Sequence, residues 1–263
     1  MIDLTIVATA EHQTRCGLAV ADGIRAVGGT ARLQRTEVCS TLHVCAWGWR
    51  QGKRLRDAGH EVLVMERAYL GDRFAWYSLG WNGLNGRARF PEWPADGGAR
   101  FREHFGHLKR PWRRDGGYVL LVGQVPGDAS LQGRDLSSWY SEAALKAQIG
   151  YEADVLFRPH PAAVKRGIIH RPNYTRPSTG SLSEALDGAL ACITFNSNTG
   201  VEAVLAGVPT VAVDPGAMAW DVAAHRVGDL HRPAREAWAH RLAWRQWRLE
   251  EIAAGKPFEG IHA

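Results

Sequence analysis

Cysteine is scarce: the 263 residues hold four, Cys16, Cys39, Cys45 and Cys192, with no C-x-x-C pair, so neither a disulfide framework nor a thiolate zinc site is expected. Long apolar runs are missing too. Nothing approaches the roughly 18 uninterrupted apolar residues of a membrane helix, and the start Met1-Ile2-Asp3-Leu4 lacks the basic leader of a secretory signal, which points to the cytoplasm. There is no solenoid-period repeat, low-complexity tract, DxD motif or cluster with metal-ligand spacing. What is present is ordinary globular material, 45% hydrophobic and 22% charged, which excludes disorder and suits two domains of about 100 residues each.

Charge is unevenly spread. Residues 1–115 carry 18 Lys and Arg against 12 Asp and Glu, a net +6, whereas the remainder carries 14 against 15. A basic half beside a neutral one suits an anion-rich partner, with nucleic acid foremost. A solubility charge in an arginine-biased proteome explains the same balance.

The first half alternates strands with helices. Leu4 to Ala8, Leu42 to Ala46 and Glu61 to Met65 are apolar strand runs, with helices expected over Cys16 to Val27 and Arg50 to Ala58. Strands without polar alternation that return through helices imply a parallel sheet covered on both faces. From Glu66 to Arg114 the pattern lapses into a Gly-, Trp- and Arg-rich stretch, expected to be a long loop lining an active site. Its basic end, Arg100, Arg102, Lys109, Arg110, Arg113 and Arg114, reads as an interdomain linker. The second half restarts with strands at Tyr118 to Val122, Asp154 to Phe157, Ala191 to Thr194 and Pro209 to Val213, and helices at Ser138 to Ile149, Ser183 to Gly188 and Thr199 to Ala206. A single long helix is expected from Ala234 to Ala254. The expected fold is therefore α/β, with two doubly wound, Rossmann-like domains over 1–115 and 116–232 and a C-terminal helix and tail over 233–263 packing across them.

Three strand-following loops of the second half carry polar chemistry. Gly123-Gln124 with Asp128-Ala129-Ser130 offers backbone access and polar handles at Gln124, Asp128 and Ser130. Arg158-Pro159-His160-Pro161 holds an imidazole between prolines, suited to a phosphate, with Arg158 able to add a bidentate contact. Asn196-Ser197-Asn198-Thr199-Gly200-Val201-Glu202 opens a helix with small polar caps, and Glu202 can accept from ribose hydroxyls. An ordinary capped helix and a histidine-bearing turn fit the last two segments as well.

In order, these segments, with Gly200 to Pro209 and Trp220, resemble the capsule-polysaccharide Kdo transferases and their relatives over residues 118–221. The resemblance implies a GT-B-like glycosyltransferase whose second domain holds a nucleotide sugar, a UDP- or CMP-sugar, without bound metal or other cofactor. His160 would then contact the donor phosphate, and Ser197, Thr199 and Glu202 the phosphate or ribose. The first half, with Glu66-Arg67 and Gly80-Trp81-Asn82-Gly83-Leu84-Asn85, and the tail Trp244-Arg245-Gln246-Trp247 resemble instead small glycosyltransferases of tailed phages. That likeness implies a hydroxymethylated pyrimidine, 5-hydroxymethylcytosine, in phage DNA as acceptor, in the cytoplasm of the host cell.

Glycosyl transfer requires a carboxylate to deprotonate the acceptor hydroxyl. Asp72 is the preferred candidate, flanked by Gly71 and Arg73, with Glu66 beside it and Glu11-His12 as a further pair after the first strand. Asp72-Arg73 also reads as a surface ion pair. Arg67 and Arg73 with Trp76 and Trp81 would contact the acceptor by charge and stacking, and Asn82 and Asn85 complete that set. Two further readings are a surface-polysaccharide transferase using a CMP-sugar and a nucleotide- or nucleic-acid-binding module without catalysis.

Overall fold

The computed structural model describes residues 2–93 and 95–259. In chain order its elements are β1 (Asp3–Val7), α1 (Glu11–Ala26), β2 (Thr30–Gln34), β3 (His43–Trp47), α2 (Trp49–Asp57), β4 (Glu61–Arg67), β5 (Tyr77–Trp81), α3 (Ala99–Phe105), β6 (Tyr118–Val122) and α4 (Ser137–Tyr151). There follow β7 (Asp154–Arg158), α5 (Pro161–Lys165), β8 (Arg176–Pro177), α6 (Leu182–Asp187), β9 (Ala189–Thr194), α7 (Thr199–Leu205), β10 (Thr210–Ala212), α8 (Glu236–Ala243), β11 (Gln246–Trp247) and α9 (Leu249–Ala253). Two compact units result: the first takes the chain up to Arg100 and again from Ala239, and the second runs from Phe101 to Trp238.

In the first unit β2, β1, β3 and β4 are parallel neighbours, and β5 and then β11 extend the sheet antiparallel. Alternate residues of the apolar runs serve the two faces. Leu4, Ile6, Cys45, Leu63 and Met65 pack with Val20 and Ile24 of α1 and with Ile252 and Phe258, while Val7, Val44, Ala46, Val62 and Val64 pack with Leu55 of α2. Full burial of each large aliphatic chain contributes roughly 1.5–3 kcal/mol. The winding direction reverses between β1 and β3.

The second unit is a five-stranded parallel sheet in the order β8-β7-β6-β9-β10. Val119, Leu121, Phe157 and Ile193 pack against Tyr140, Ala143 and Ala147 of α4, and Leu120, Val122 and Cys192 against Leu186 and Ala203. Here the reversal falls between β6 and β9, and open α/β sheets bind ligands outside the carboxyl ends of the strands at that point. Two Rossmann-like domains of α/β class are thus present, as expected.

Two expectations fail. The stretch after Glu66 is not one long loop, because it contains the buried strand β5 and helix α3, and the basic stretch starts inside α3. Nor does one helix span Ala234 to Ala254. Gln246 breaks it: the side chain is wholly buried, accepting from Tyr69 N and Leu70 N at 3.0 and 2.9 Å and donating to Leu70 O at 3.1 Å. Those bonds hold Gln246-Trp247 in the sheet as β11, and the Trp244 ring stacks on Trp93 with centroids 5.4 Å apart. Arg100 lies over the Trp244 and Trp247 rings and pairs with Glu251 at 2.6 Å. The C-terminal elements thereby complete the first unit's core.

Candidate active site

The three polar loops of the second unit meet at one sheet edge. Val122 is in register with Arg158, and Gly123 N donates to Arg158 O at 2.8 Å, so the loops after β6 and β7 lie side by side. Across the winding reversal, Gln124 and Asn196 exchange hydrogen bonds: Gln124 Nε2 donates to Asn196 Oδ1 at 2.7 Å and Asn196 N donates to Gln124 Oε1 at 2.9 Å. Asn196 Nδ2 also donates to Ser130 O and to Asp214 Oδ1, both at 3.0 Å. Asp214 is 2% exposed and its other oxygen pairs with Arg134 at 3.2 Å. A buried polar network of this kind rigidifies its surroundings when every member is satisfied. Gln124 and Ser130 are expected here from the sequence, whereas Asn196, Asp214 and Arg134 are additions from the structure. Their signal was available: Asn196 and Asp214, like Gln124, each stand two residues past a strand end.

Around that lock the remaining residues are held by local bonds. Asp128 Oδ1 accepts from Ser130 N at 2.8 Å and from Ser130 Oγ at 2.7 Å. His160 caps α5, its Nδ1 accepting from Ala162 N at 3.1 Å, which assigns the ring proton to Nε2. Arg158 Nη2 donates to Gly180 O at 3.0 Å. Ser197 Oγ accepts from Thr199 N at 3.2 Å, and Ser197 N donates to Thr194 Oγ1 at 2.8 Å. Gly200 packs closely, since a Cβ there would stand 3.1 Å from the Thr194 methyl and 3.4 Å from Ala219 Cβ. Glu202 is exposed on α7. A cavity of about 180 Å³ opens beside the β6 loop, between Gln124, Arg134, Tyr140 and His170.

The first unit gathers a different set at the carboxyl ends of its parallel strands. Gln13 Oε1 accepts from Thr9 N and Ala10 N at 2.8 and 3.2 Å, fixing the turn that exposes Glu11 and His12 at the start of α1. The His12 ring meets Trp47, the last residue of β3, edge-on at 5.3 Å. Glu66 is half-buried near the end of β4, with Oε1 accepting from Arg67 N at 2.9 Å. Its Oε2 lies 3.5 Å from where a Cβ of Gly48 would stand. The Arg67 guanidinium lies 5.4, 4.9 and 5.3 Å from the ring centroids of Trp47, Phe74 and Tyr77. Phe74 is 77% exposed, so one face of this cluster is open to solvent.

Several expected acceptor residues do other work. Asp72 is exposed in the turn between β4 and β5, where Oδ1 accepts from Phe74 N at 2.8 Å and its carbonyl from Ala75 N and Trp76 N. Arg73 is exposed in the same turn, and its carbonyl accepts from Arg67 at 3.4 Å. Trp76 and Trp81 are 4% and 7% exposed, which removes them as stacking platforms. Since β5 runs antiparallel to β4, Asn82 arrives at the amino edge of the sheet. It accepts there from Val62 N at 2.8 Å and donates to Glu61 at 2.5 Å, and Asn85 forms a turn nearby with φ +54°.

Among the described residues no group of three or more His, Cys, Asp or Glu is placed to hold a metal ion, and no helix is long and apolar enough to cross a membrane. No protein-family model matches the chain, and no curated protein matches it. Solved structures do. The Thermosulfurimonas dismutans KpsC beta Kdo 2,4 transferase aligns over 90% of this chain and 89% of its own, at 14% identity and a TM-score of 0.61. The beta Kdo 2,7 transferase of the same KpsC aligns over 97% and 98%, at 16% identity and a TM-score of 0.59. At such identities the likeness is one of fold, GT-B-like with two Rossmann-like domains. It also covers far more of the chain than residues 118–221, where the sequence resemblance to this family had stopped.

Proposed function

We propose that the chain is a glycosyltransferase that moves a sugar from a nucleotide-sugar donor, held at the carboxyl edge of the second unit, to an acceptor hydroxyl. The observation that carries this reading is the Gln124–Asn196 lock, which joins the polar loops after β6 and β9 at the winding reversal of a parallel sheet, with the loop after β7 tied alongside by Gly123 N–Arg158 O. His160, through Nε2–H, and Arg158 would hydrogen-bond the donor phosphate. Ser197, Thr199 and Glu202 would meet phosphate or ribose. For the base, Glu66 fits better than Asp72: it is half-buried near the end of β4, next to the Arg67 whose guanidinium lies over Trp47, whereas Asp72 is exposed in the turn. In the reaction Glu66 takes the acceptor proton, the freed oxygen bonds the anomeric carbon, and the bond from that carbon to the phosphate oxygen breaks. The leaving nucleotide keeps the electron pair, stabilised by His160 and Arg158.

A saccharide acceptor is favoured by the open aromatic edge of Trp47 and Phe74 and by the fold shared with Kdo transferases. The second reading, 5-hydroxymethylcytosine in DNA, rests on the basic first half. Counted over the first compact unit, however, 17 basic and 13 acidic residues leave +4, against +1 for the second. The test is to incubate the chain with UDP- and CMP-sugars and either oligosaccharides or hydroxymethylated DNA, and to weigh the products by mass spectrometry. Glu66→Gln should abolish transfer yet keep the nucleotide-induced rise in Tm, and His160→Ala should lose that rise. No Tm rise with any nucleotide would sink the donor site. Mass gain on DNA alone would install the second reading, and no mass gain with nucleotide still bound would leave a binding module.

A further inference from the structure

The second unit has another opening, built from the basic stretch that glycosyl transfer leaves unused. Residues 109–113 and 232–236 run together over the carboxyl end of α7. Arg110 N donates to Leu205 O at 2.8 Å and Arg113 N to Gly207 O at 2.7 Å. Arg235, 3% exposed, donates to the carbonyls of Val204 and Arg110 and lies 4.0 Å from the Trp112 ring centroid. Gly207, at φ +82°, permits this approach, because a Cβ there would collide with the Pro111 carbonyl. Between the two segments is a cavity of about 490 Å³, within the roughly 300–1,000 Å³ of small-molecule sites.

Helix capping explains part of the basicity, since cations are favoured at a helix carboxyl end and Arg235 serves that role. It does not explain the rest. Lys109, Arg110, Arg232 and Arg235 line the cavity against one acid, Glu236. That carboxylate is already taken by Lys109 at 2.5 Å, whose hydrogen bond pulls its pKa down to about 2. Arg110 and Arg113 share Asp187 at 3.1 and 2.9 Å. Arg232 is exposed and has a carbonyl partner, Arg113 O at 2.7 Å, and among the described residues no acid is paired to it. The cavity therefore keeps an excess of positive charge presented by guanidinium groups, whose planar forks match phosphate oxygens.

We infer that this cavity binds a phosphate-bearing anion, of pyrophosphate or phosphodiester class, at a site separate from the strand-edge loops. A nucleic-acid platform is disfavoured because Arg235 covers the Trp112 ring. Membrane insertion is disfavoured as well, because none of the large hydrophobic side chains exposed among the described residues belongs to these two segments.

The test titrates inorganic pyrophosphate calorimetrically into the full chain carrying His160→Ala, so that strand-edge binding does not intrude, and then into the same chain carrying Arg232→Glu or Arg110→Glu as well. Both arginines are exposed, and unchanged melting curves would certify the fold. Binding should weaken at least tenfold with either substitution. Parallel arms identify the source: sedimentation with phosphatidylglycerol vesicles, lost on Arg232→Glu, points to a lipid headgroup, and nucleoside diphosphate binding with the same loss points to a soluble ligand. Pyrophosphate affinity unchanged by both substitutions, or capture of a single-stranded oligonucleotide without pyrophosphate binding, would overturn the assignment. Because the strand-edge site is disabled throughout, failure here leaves the glycosyltransferase reading untouched.

Discussion

Asn196→Asp isolates the lock at the second unit's sheet edge. The substitution preserves size and the Oδ1 acceptor but turns the Nδ2 donor into an oxygen, facing Asp214 Oδ1 and Ser130 O, each 3.0 Å from that atom. Two carboxylates so close repel by about 5 kcal/mol at an effective dielectric of 20, so one of them keeps its proton well above the ordinary carboxylate range. Adding the lost hydrogen bonds, about 1–3 kcal/mol, brings the loss at neutral pH to about 6–8 kcal/mol, and the Tm should fall by about 15–25 °C. The sign with pH is opposite to that of a salt-bridged acid. A carboxyl with a raised folded pKa binds its proton more readily folded than unfolded, so the penalty is greatest above that pKa and fades as pH falls toward the unfolded value. Calorimetric melts at about pH 7.5 and about pH 5, each beside the parent chain, should show the deficit shrinking at least by half in acid. An equal deficit at both, or none, would refute the placement of the Asn196 amide.

Other consequences are independent of that lock. Glu251→Gln breaks a pair whose side chains are 9% and 12% exposed and should cost about 3 kcal/mol. Burial pushes the Glu251 pKa up, but the bonds from Arg100 and Arg248 N outweigh this and hold it below the usual 4.5, so in acid titrations the gap between parent and variant should close only below that value. Gly23→Ala would gain about 1 kcal/mol of helix propensity, yet its Cβ would collide with the Ile252 carbonyl and the Phe258 ring. A net loss of about 3 kcal/mol by urea denaturation is expected, and any stabilisation would contradict the packing of α1 on α9. Phe74→Ala, at a side chain 77% exposed, should leave stability within about 0.5 kcal/mol while raising the acceptor KM several-fold; an unchanged KM would remove Phe74 from the acceptor edge.

The second unit was legible because a parallel sheet obeys a local rule. Each strand is a short apolar run, and whatever follows it stands at the carboxyl edge, so Gln124, His160 and Ser197 were assembled without knowing which strands are neighbours. Pairing β6 with β9 was not legible, and with it went the Gln124–Asn196 exchange, a contact across 72 residues of chain. The first unit broke the rule at β5. Tyr77-Ser78-Leu79-Gly80-Trp81 has two strand-favouring aromatics but no β-branched residue and a glycine inside it, so its strand signal is weak. It forms because all five residues are buried and paired antiparallel to β4. Once that strand is inserted, Trp81, Asn82 and Asn85 move to the amino edge, while Glu66 and Arg67, near the end of β4, stay at the carboxyl edge. Asp72, in the turn that joins β4 to β5, stands at that same carboxyl edge.

Charge shows why a linear count misleads in a chain that folds back on itself. Dividing at residue 115 assigned the arginines of the basic stretch to an acceptor half, making that half look built for a polyanion. The chain crosses into the second unit at Phe101 and returns at Ala239, so Lys109, Arg110, Arg113 and Arg114 belong with Arg232 and Arg235, more than a hundred residues later. The excess over acids there is local, concentrated where two segments cross the end of α7, and its field acts over about a Debye length of 10 Å at 0.1 M salt rather than over a domain. Charge must therefore be counted along the fold: of the +6 carried by residues 1–115, +3 sits on residues 101–115 and belongs to the second unit, while the first unit as a whole keeps +4.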